Sequence, residues 1–180
     1  QRAIPASLMD PKIKNRSRLF YLMANIEVSQ IAGDNNWALL LGSDGFITEG
    51  TGDNFFIIKD GVVITPEGRD VLRGISRGYV MTELCTSLGI PCIEKNIDQY
   101  DVYTADEAFI TGTPFCMLPV TSLNGVPIGS GRVGEIFSQL ISCWSKNVGV
   151  DIIGQIQKWD SDRPISSNGN APTPYRFSKK

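Results

Sequence analysis

An α+β fold, with mixed but largely antiparallel β-hairpins flanked by helices, is what this sequence predicts, on three observations. Asp44-Gly45, Asp60-Gly61 and Asn124-Gly125 are turn pairs lying between short apolar runs, the signature of tight hairpins. Stretches of helical periodicity fall between groups of strands, where a doubly wound parallel sheet would alternate strand and helix throughout. The glycine pairs Gly50/Gly52 and Gly129/Gly131 follow turns, and neither extends to the GxGxxG spacing of a dinucleotide-binding loop.

Residues 1–12 contain prolines and read as an interdomain linker, residues 13–150 as one large domain, and residues 151–180 as a C-terminal tail. From Ser17 to Ile31 the apolar residues Leu19, Phe20, Leu22, Met23 and Ile26 fall at helical spacing, with Ser17 as the expected N-cap. Trp37–Leu41 is a short strand entering the Asp44-Gly45 turn, and Phe46–Ile47 leaves it. Phe55–Ile58 and Val62–Ile64 form a hairpin that Pro66 ends. Ile75–Leu88 is a helix with Ile75, Tyr79, Val80, Leu84 and Leu88 expected to face inward and Gly89 stopping it. Pro91–Glu94 and Glu107–Ile110 read as strands, Asp98–Tyr103 as a short helix, and Cys116–Val120 and Val126–Ile128 as strands flanking Asn124-Gly125. Val133–Trp144 has the clearest helical face, and Asp160–Lys180 turns to serine, asparagine, proline and charge, a loosely docked tail.

Composition narrows the chemistry. A length of 180 residues is enough for one sizeable core, and a formal charge of −2 gives no reason to expect nucleic acid or an anionic membrane as partner. No apolar run is long enough to span a bilayer. Histidine is absent, which excludes Ser-His-Asp and Cys-His catalysis and histidine-ligated metal within these residues. The cysteines Cys85, Cys92, Cys116 and Cys143 are widely spaced without a CxxC, so reduced thiols are expected and a metal site is not.

Two stretches carry candidate chemistry. Thr48-Glu49-Gly50-Thr51-Gly52-Asp53-Asn54 is a polar turn that places the Glu49 carboxylate at a strand end. Leu72-Arg73-Gly74-Ile75-Ser76-Arg77 leads into a helix whose first backbone N–H groups lack intrahelical partners and can meet an anion. A carboxylate followed by an anion cradle suits a phosphorylated ligand containing nitrogen.

The segments TEGTGDNFFIIKDGVVITP, LRGISR, ADEAFITGTPFCMLPV and LNGVPIGSGRVGEIFSQL resemble, in order and spacing, the signatures of the class IV (fold-type IV) pyridoxal-phosphate aminotransferases. That family includes branched-chain, D-amino-acid and R-selective amine transaminases and aminodeoxychorismate lyase, and the likeness runs from Pro11 to Val148. It implies the family's large domain, a pseudo-barrel of hairpins, with pyridoxal 5'-phosphate as cofactor, an amino donor and a keto acid as substrates, and a cytoplasmic homodimer. Lys14 matches the Schiff-base lysine, with Lys12 as its rival; burial and a nearby cation would be needed to free its amine. Glu49 matches the acid facing the pyridine nitrogen, and Leu72 the leucine behind the ring. The phosphate would meet the N–H groups of Ile75 and Ser76 and the Gly112-Thr113 turn, chiefly Thr113. Asn54 is expected to serve its own turn, and Arg16, Arg18 and Arg77 to be solvated.

Two departures accompany the resemblance. The family's small N-terminal domain, with an arginine that clamps the phosphate, has no counterpart in these residues, so the chain is expected to be inactive alone. The KNRSRL segment lacks the tyrosine that branched-chain members place just after the lysine, and shares a Lys…Arg-Leu pattern with the lyase branch. Pyruvate elimination and a non-catalytic scaffold therefore stand as alternatives to amino-group transfer.

Overall fold

The computed structural model describes residues 3–17, 19–33 and 35–161. Its strands are β1 (Leu39–Leu41), β2 (Ile47–Gly50), β3 (Asn54–Lys59), β4 (Val62–Thr65), β5 (Cys92–Glu94), β6 (Glu107–Gly112), β7 (Cys116–Val120), β8 (Ser122–Leu123) and β9 (Val126–Pro127). A 3₁₀ turn, Leu19–Tyr21, leads into α1 (Leu22–Ser29). Helix α2 (Ile75–Tyr79) continues through a π-helical turn, Val80–Leu84, into α3 (Cys85–Leu88); α4 is Gln99–Tyr103, α5 Glu135–Val148 and α6 Ile152–Ser161.

Strand β3 organises the sheet. Its side chains alternate between two cores, as the two-residue period of a strand requires. Phe56 and Ile58 pack with Val80, Leu84, Phe109, Phe137, Leu140 and Trp144 beneath the helices. Phe55 and Ile57 pack on the other face with Ile47, Ile97, Val102, Ala108 and Ile110. Covering both faces is why Phe55-Phe56-Ile57-Ile58 reads as an unbroken apolar run. Each such side chain contributes about 1.5–3 kcal/mol on full burial, and the Phe56 and Phe109 rings stack at 4.6 Å.

The edges of β3 position the site. One edge pairs with β6 from Asn54↔Thr111 to Ile58↔Glu107. The other is shared: β4 takes Ile57 to Lys59, while β2 pairs only through Glu49↔Asn54. The sheet therefore splits at Asn54, and three strands meet there. All these pairings are antiparallel; β4 with β5 is the parallel one among the described residues.

Several expectations are corrected. Ser17 is not the helix cap: Tyr21 holds that position, and the Ser17 N–H bonds Asn15 Oδ1 at 2.9 Å. Ile75 is 86% exposed rather than inward-facing, because the first turn of α2 stands over a cleft, and Leu88 is 38% exposed at the helix end; Val80 and Leu84 are buried as the spacing requires. Val133 precedes α5 and is exposed. The helix begins where the Glu107 carboxylate, from β6, accepts the N–H groups of Ile136 and Phe137, each at 2.9 Å. The Asn124-Gly125 turn joins the small β8–β9 ribbon, and β7 pairs with β6 instead. Residues 151–180 begin with α6, whose Ile152 is buried in the core under the helices; residues 162–180 and Arg18 lie outside the described residues.

Candidate active site

Lys14, Glu49, Leu72, Ile75, Ser76, Gly112 and Thr113 line a single cleft of about 230 Å³. They arrive from four directions: the irregular segment before α1, the end of β2, the loop that starts α2, and the end of β6. Tyr21, Asn54, Gly74 and Thr111 line it as well. The convergence follows from the split of the sheet, since β2, β3 and β6 all present their site-bearing ends at the Asn54 junction.

Glu49 is 7% exposed. Its Oε2 accepts the Leu72 N–H at 3.0 Å and the Asn54 Nδ2–H at 3.1 Å, and the Tyr21 hydroxyl lies 3.4 Å from Oε1. Burial pushes the carboxyl up to about 7, against the opposing pull of the Leu72 and Tyr21 donors and of the Lys14 and Arg77 charges. A group poised near neutrality in a cleft can hold or give up a proton as its neighbour demands.

The two candidate lysines separate cleanly. Lys12 Nζ is 2.8 Å from Asp10 Oδ1 and 3.3 Å from the Arg69 carbonyl, and the residue does not line the cleft. Lys14 lines it and acts electrostatically on Glu49. It is also exposed, so the burial expected to free its amine is not supplied by these residues.

Gly74 caps α2 in an extended conformation (φ −61°, ψ 143°) without a side-chain cap, so the first N–H groups of a helix that lines the cleft have no intrahelical partner. Ser76 is buried, and Thr111 Oγ1 is buried without a hydrogen-bond partner among the described residues. A side chain at Gly74 would have no room, because its Cβ would fall 2.2 Å from Asn54 Oδ1. At Gly112 the Cβ would meet the Phe115 ring at 2.7 Å. Backbone N–H groups, a buried hydroxyl and a buried acid lining one cleft form a set of polar groups that fits a phosphorylated nitrogen heterocycle.

Sequence reasoning misassigned two residues and missed one. Asn54 does not serve a local turn; its Nδ2 bonds Glu49 and, at 2.8 Å, the Leu72 carbonyl. Arg77 is buried, not solvated, with Nη2 on the Pro66 carbonyl at 2.9 Å and on the Glu94 carboxylate. Tyr21 lies within a run of helical periodicity, and no local signal marks its reach to Glu49.

Fold and cleft together define an α+β domain with a polar cleft, and comparison with known proteins says to which family it belongs. The profile described as amino-transferase class IV matches residues 1–123, and the chain belongs to that family. It is 39% identical over 140 residues to a putative branched-chain-amino-acid aminotransferase of Methanocaldococcus jannaschii, covering 77% of this chain and 48% of the relative. It is 43% identical over 110 residues to the branched-chain-amino-acid aminotransferase of Pseudomonas aeruginosa, covering 61% and 36%. Among solved structures, the T.th. branched-chain amino acid aminotransferase with pyridoxamine 5'-phosphate superposes with a TM-score of 0.76 at 28% identity, covering 89% of this chain and 51% of that one. The chain thus spans about half the length, or less, of the relatives it matches.

Proposed function

We propose that this chain is the cofactor-binding part of a pyridoxal-phosphate-dependent transaminase that moves an amino group from an amino acid or amine to a 2-keto acid. The observation that carries the reading is the shared cleft, with the buried Glu49 carboxyl within electrostatic reach of Lys14 and the first turn of α2 lining the same space. Relatives named as aminotransferases, and a similar structure holding pyridoxamine 5'-phosphate, support transfer over the other chemistries of the family.

Pyridoxal phosphate, when bound, supplies an aldehyde carbon that an amine can capture and a ring that stores the electron pair left by a departing Cα proton. The residues here supply the rest. The Ile75 and Ser76 N–H groups and the Thr113 hydroxyl would hold the phosphate, since a helix N-terminus favours a dianion. Glu49 would meet the ring nitrogen; Oε2 is committed to the Leu72 and Asn54 donors, which leaves Oε1, with its longer Tyr21 contact, to hold a proton there. Leu72, half-buried, would back the ring. Lys14 Nζ would be the amine offered to that carbon and the group that takes up and returns the substrate Cα proton.

Borohydride reduction of the full-length protein loaded with pyridoxal phosphate, followed by peptide mass analysis, tests this. A phosphopyridoxyl mass on Lys14 is expected. Labelling of Lys12 instead, or of no lysine, would overturn the assignment, and pyruvate release without amino-group transfer would make the protein a lyase.

A further inference from the structure

We infer that Asn54 is a positioning residue that ties the acid of the cleft to its anion-binding loop, so that both ends of a bound cofactor are set by one side-chain amide. The inference rests on the cofactor-binding reading above and adds to it a residue that acts through Glu49 and the Leu72 loop.

The geometry is a closed ring of hydrogen bonds. Asn54 Nδ2 donates to Glu49 Oε2 at 3.1 Å and to the Leu72 carbonyl at 2.8 Å. The Leu72 N–H returns to the same Glu49 oxygen at 3.0 Å. The Leu72 carbonyl also accepts the Gly74 N–H at 2.8 Å, which bends the loop into the start of α2. The remaining atom of the amide, Oδ1, sits against Gly74 so closely that a Cβ there would lie 2.2 Å away. Every polar atom of the Asn54 side chain therefore bears either on Glu49 or on the segment that delivers the Ile75 and Ser76 N–H groups.

Its backbone is equally fixed. Asn54 is the position where β3 pairs with Glu49 of β2 and with Thr111 of β6, and the residue is 6% exposed. An amide is the group this place requires. Its N–H₂ can donate twice, to a carboxylate and a carbonyl together, whereas aspartate would set a second acceptor against both and serine could donate only once. Buried donors and acceptors that lose such a partner are costly to leave unpaired, so the loop would be expected to move. A displacement of the Leu72–Ser76 loop by a fraction of an ångström is enough to spoil a preorganised anion site.

The test uses the full-length protein and compares wild type, Asn54→Ala, Asn54→Asp and Glu49→Gln for binding of pyridoxal phosphate, of pyridoxal and of inorganic phosphate, with the melting temperature of each apo form measured alongside. Glu49→Gln is expected to weaken the ring-bearing ligands and to leave inorganic phosphate binding unchanged. Both Asn54 variants are expected to weaken all three ligands, pyridoxal phosphate by roughly tenfold or more, the loss of a hydrogen bond to a charged group. Asn54 variants that lose only the ring-bearing ligands, or none, overturn the inference. So does a lowered melting temperature with unchanged affinities, which would make Asn54 a scaffold residue, and so does failure of both variants to fold. Failure of the wild type to bind pyridoxal phosphate would strike the functional reading itself, which separates the two.

Discussion

Glu49 and Lys14 line the same cleft, yet Glu49 is 7% exposed with donors at both carboxylate oxygens, whereas Lys14 lies in solvent on an irregular segment. The acid is walled by strands β2 and β3 and by the loop entering α2, all within these residues. The lysine stands on the segment that leads into the 3₁₀ turn, beside the exposed apolar side chains of Ile13 and Leu19. Proton affinity in proteins is set first by burial and then by partners. The acid end is thus tuned by burial within this chain, whereas Lys14 is exposed in it.

Removing the lysine should break the comparison most severely. Lys14→Ala in the full-length protein is expected to lower the transamination rate by roughly 10⁴-fold or more, since it removes both the covalent amine and the proton carrier. Steady-state rates with an amino donor and a keto acid measure it.

Glu49→Gln should follow, with a loss of roughly 10²-fold in rate from the altered proton at the ring nitrogen. The same variant sharpens the electrostatic side of the comparison. A carboxyl raised from 4.5 to about 7 binds its proton more tightly in the folded state. Its contribution to stability is therefore complete below pH 4.5 and is lost as pH rises through 7, a change of roughly 3 kcal/mol for the apo protein. Denaturant unfolding across that pH range should show the decline in wild type and a flatter profile in Glu49→Gln.

Gly74→Ala addresses the boundary between acid and anion loop. Its Cβ would collide with Asn54 Oδ1, so a stability loss of about 1–3 kcal/mol is expected together with weaker pyridoxal phosphate binding. Unfolding and ligand titration on the same preparation check both. Lys12→Ala should do least. Its partners, Asp10 and the Arg69 carbonyl, are part of an exposed cluster, and a loss within about 1 kcal/mol with an unchanged rate is expected. A large fall in rate would return Lys12 to the site.

Much of the fold was legible because its signals are local. Asp60-Gly61 turns the β3–β4 hairpin with positive φ at both residues, and Asp98 with Asp101 forms a capping box that starts α4. The residues proposed for the site were named from short strings, and the fold brings them to one cleft. What escaped were contacts made at a distance. Helix α5 is capped by Glu107, 29 residues before Ile136. Asn54 serves Leu72, 18 residues on, rather than its own turn, and Arg77 is buried against Glu94, 17 residues on. A pattern of hydrophobic spacing has no term for any of these, and it turned Ile75 inward because it could not see the cleft over which that first turn stands.

From the order of its residues alone, then, the chain determined where backbone reverses, which runs are apolar enough for a core, and which acid and glycine-led loop could meet a phosphorylated ring. The tertiary structure decided which lysine shares a cleft with Glu49, how high that carboxyl's proton affinity climbs, and what Asn54 holds together. The physical reason is that desolvation and hydrogen-bond partnership depend on neighbours far away in sequence, whereas turns and periodicity depend only on those nearby.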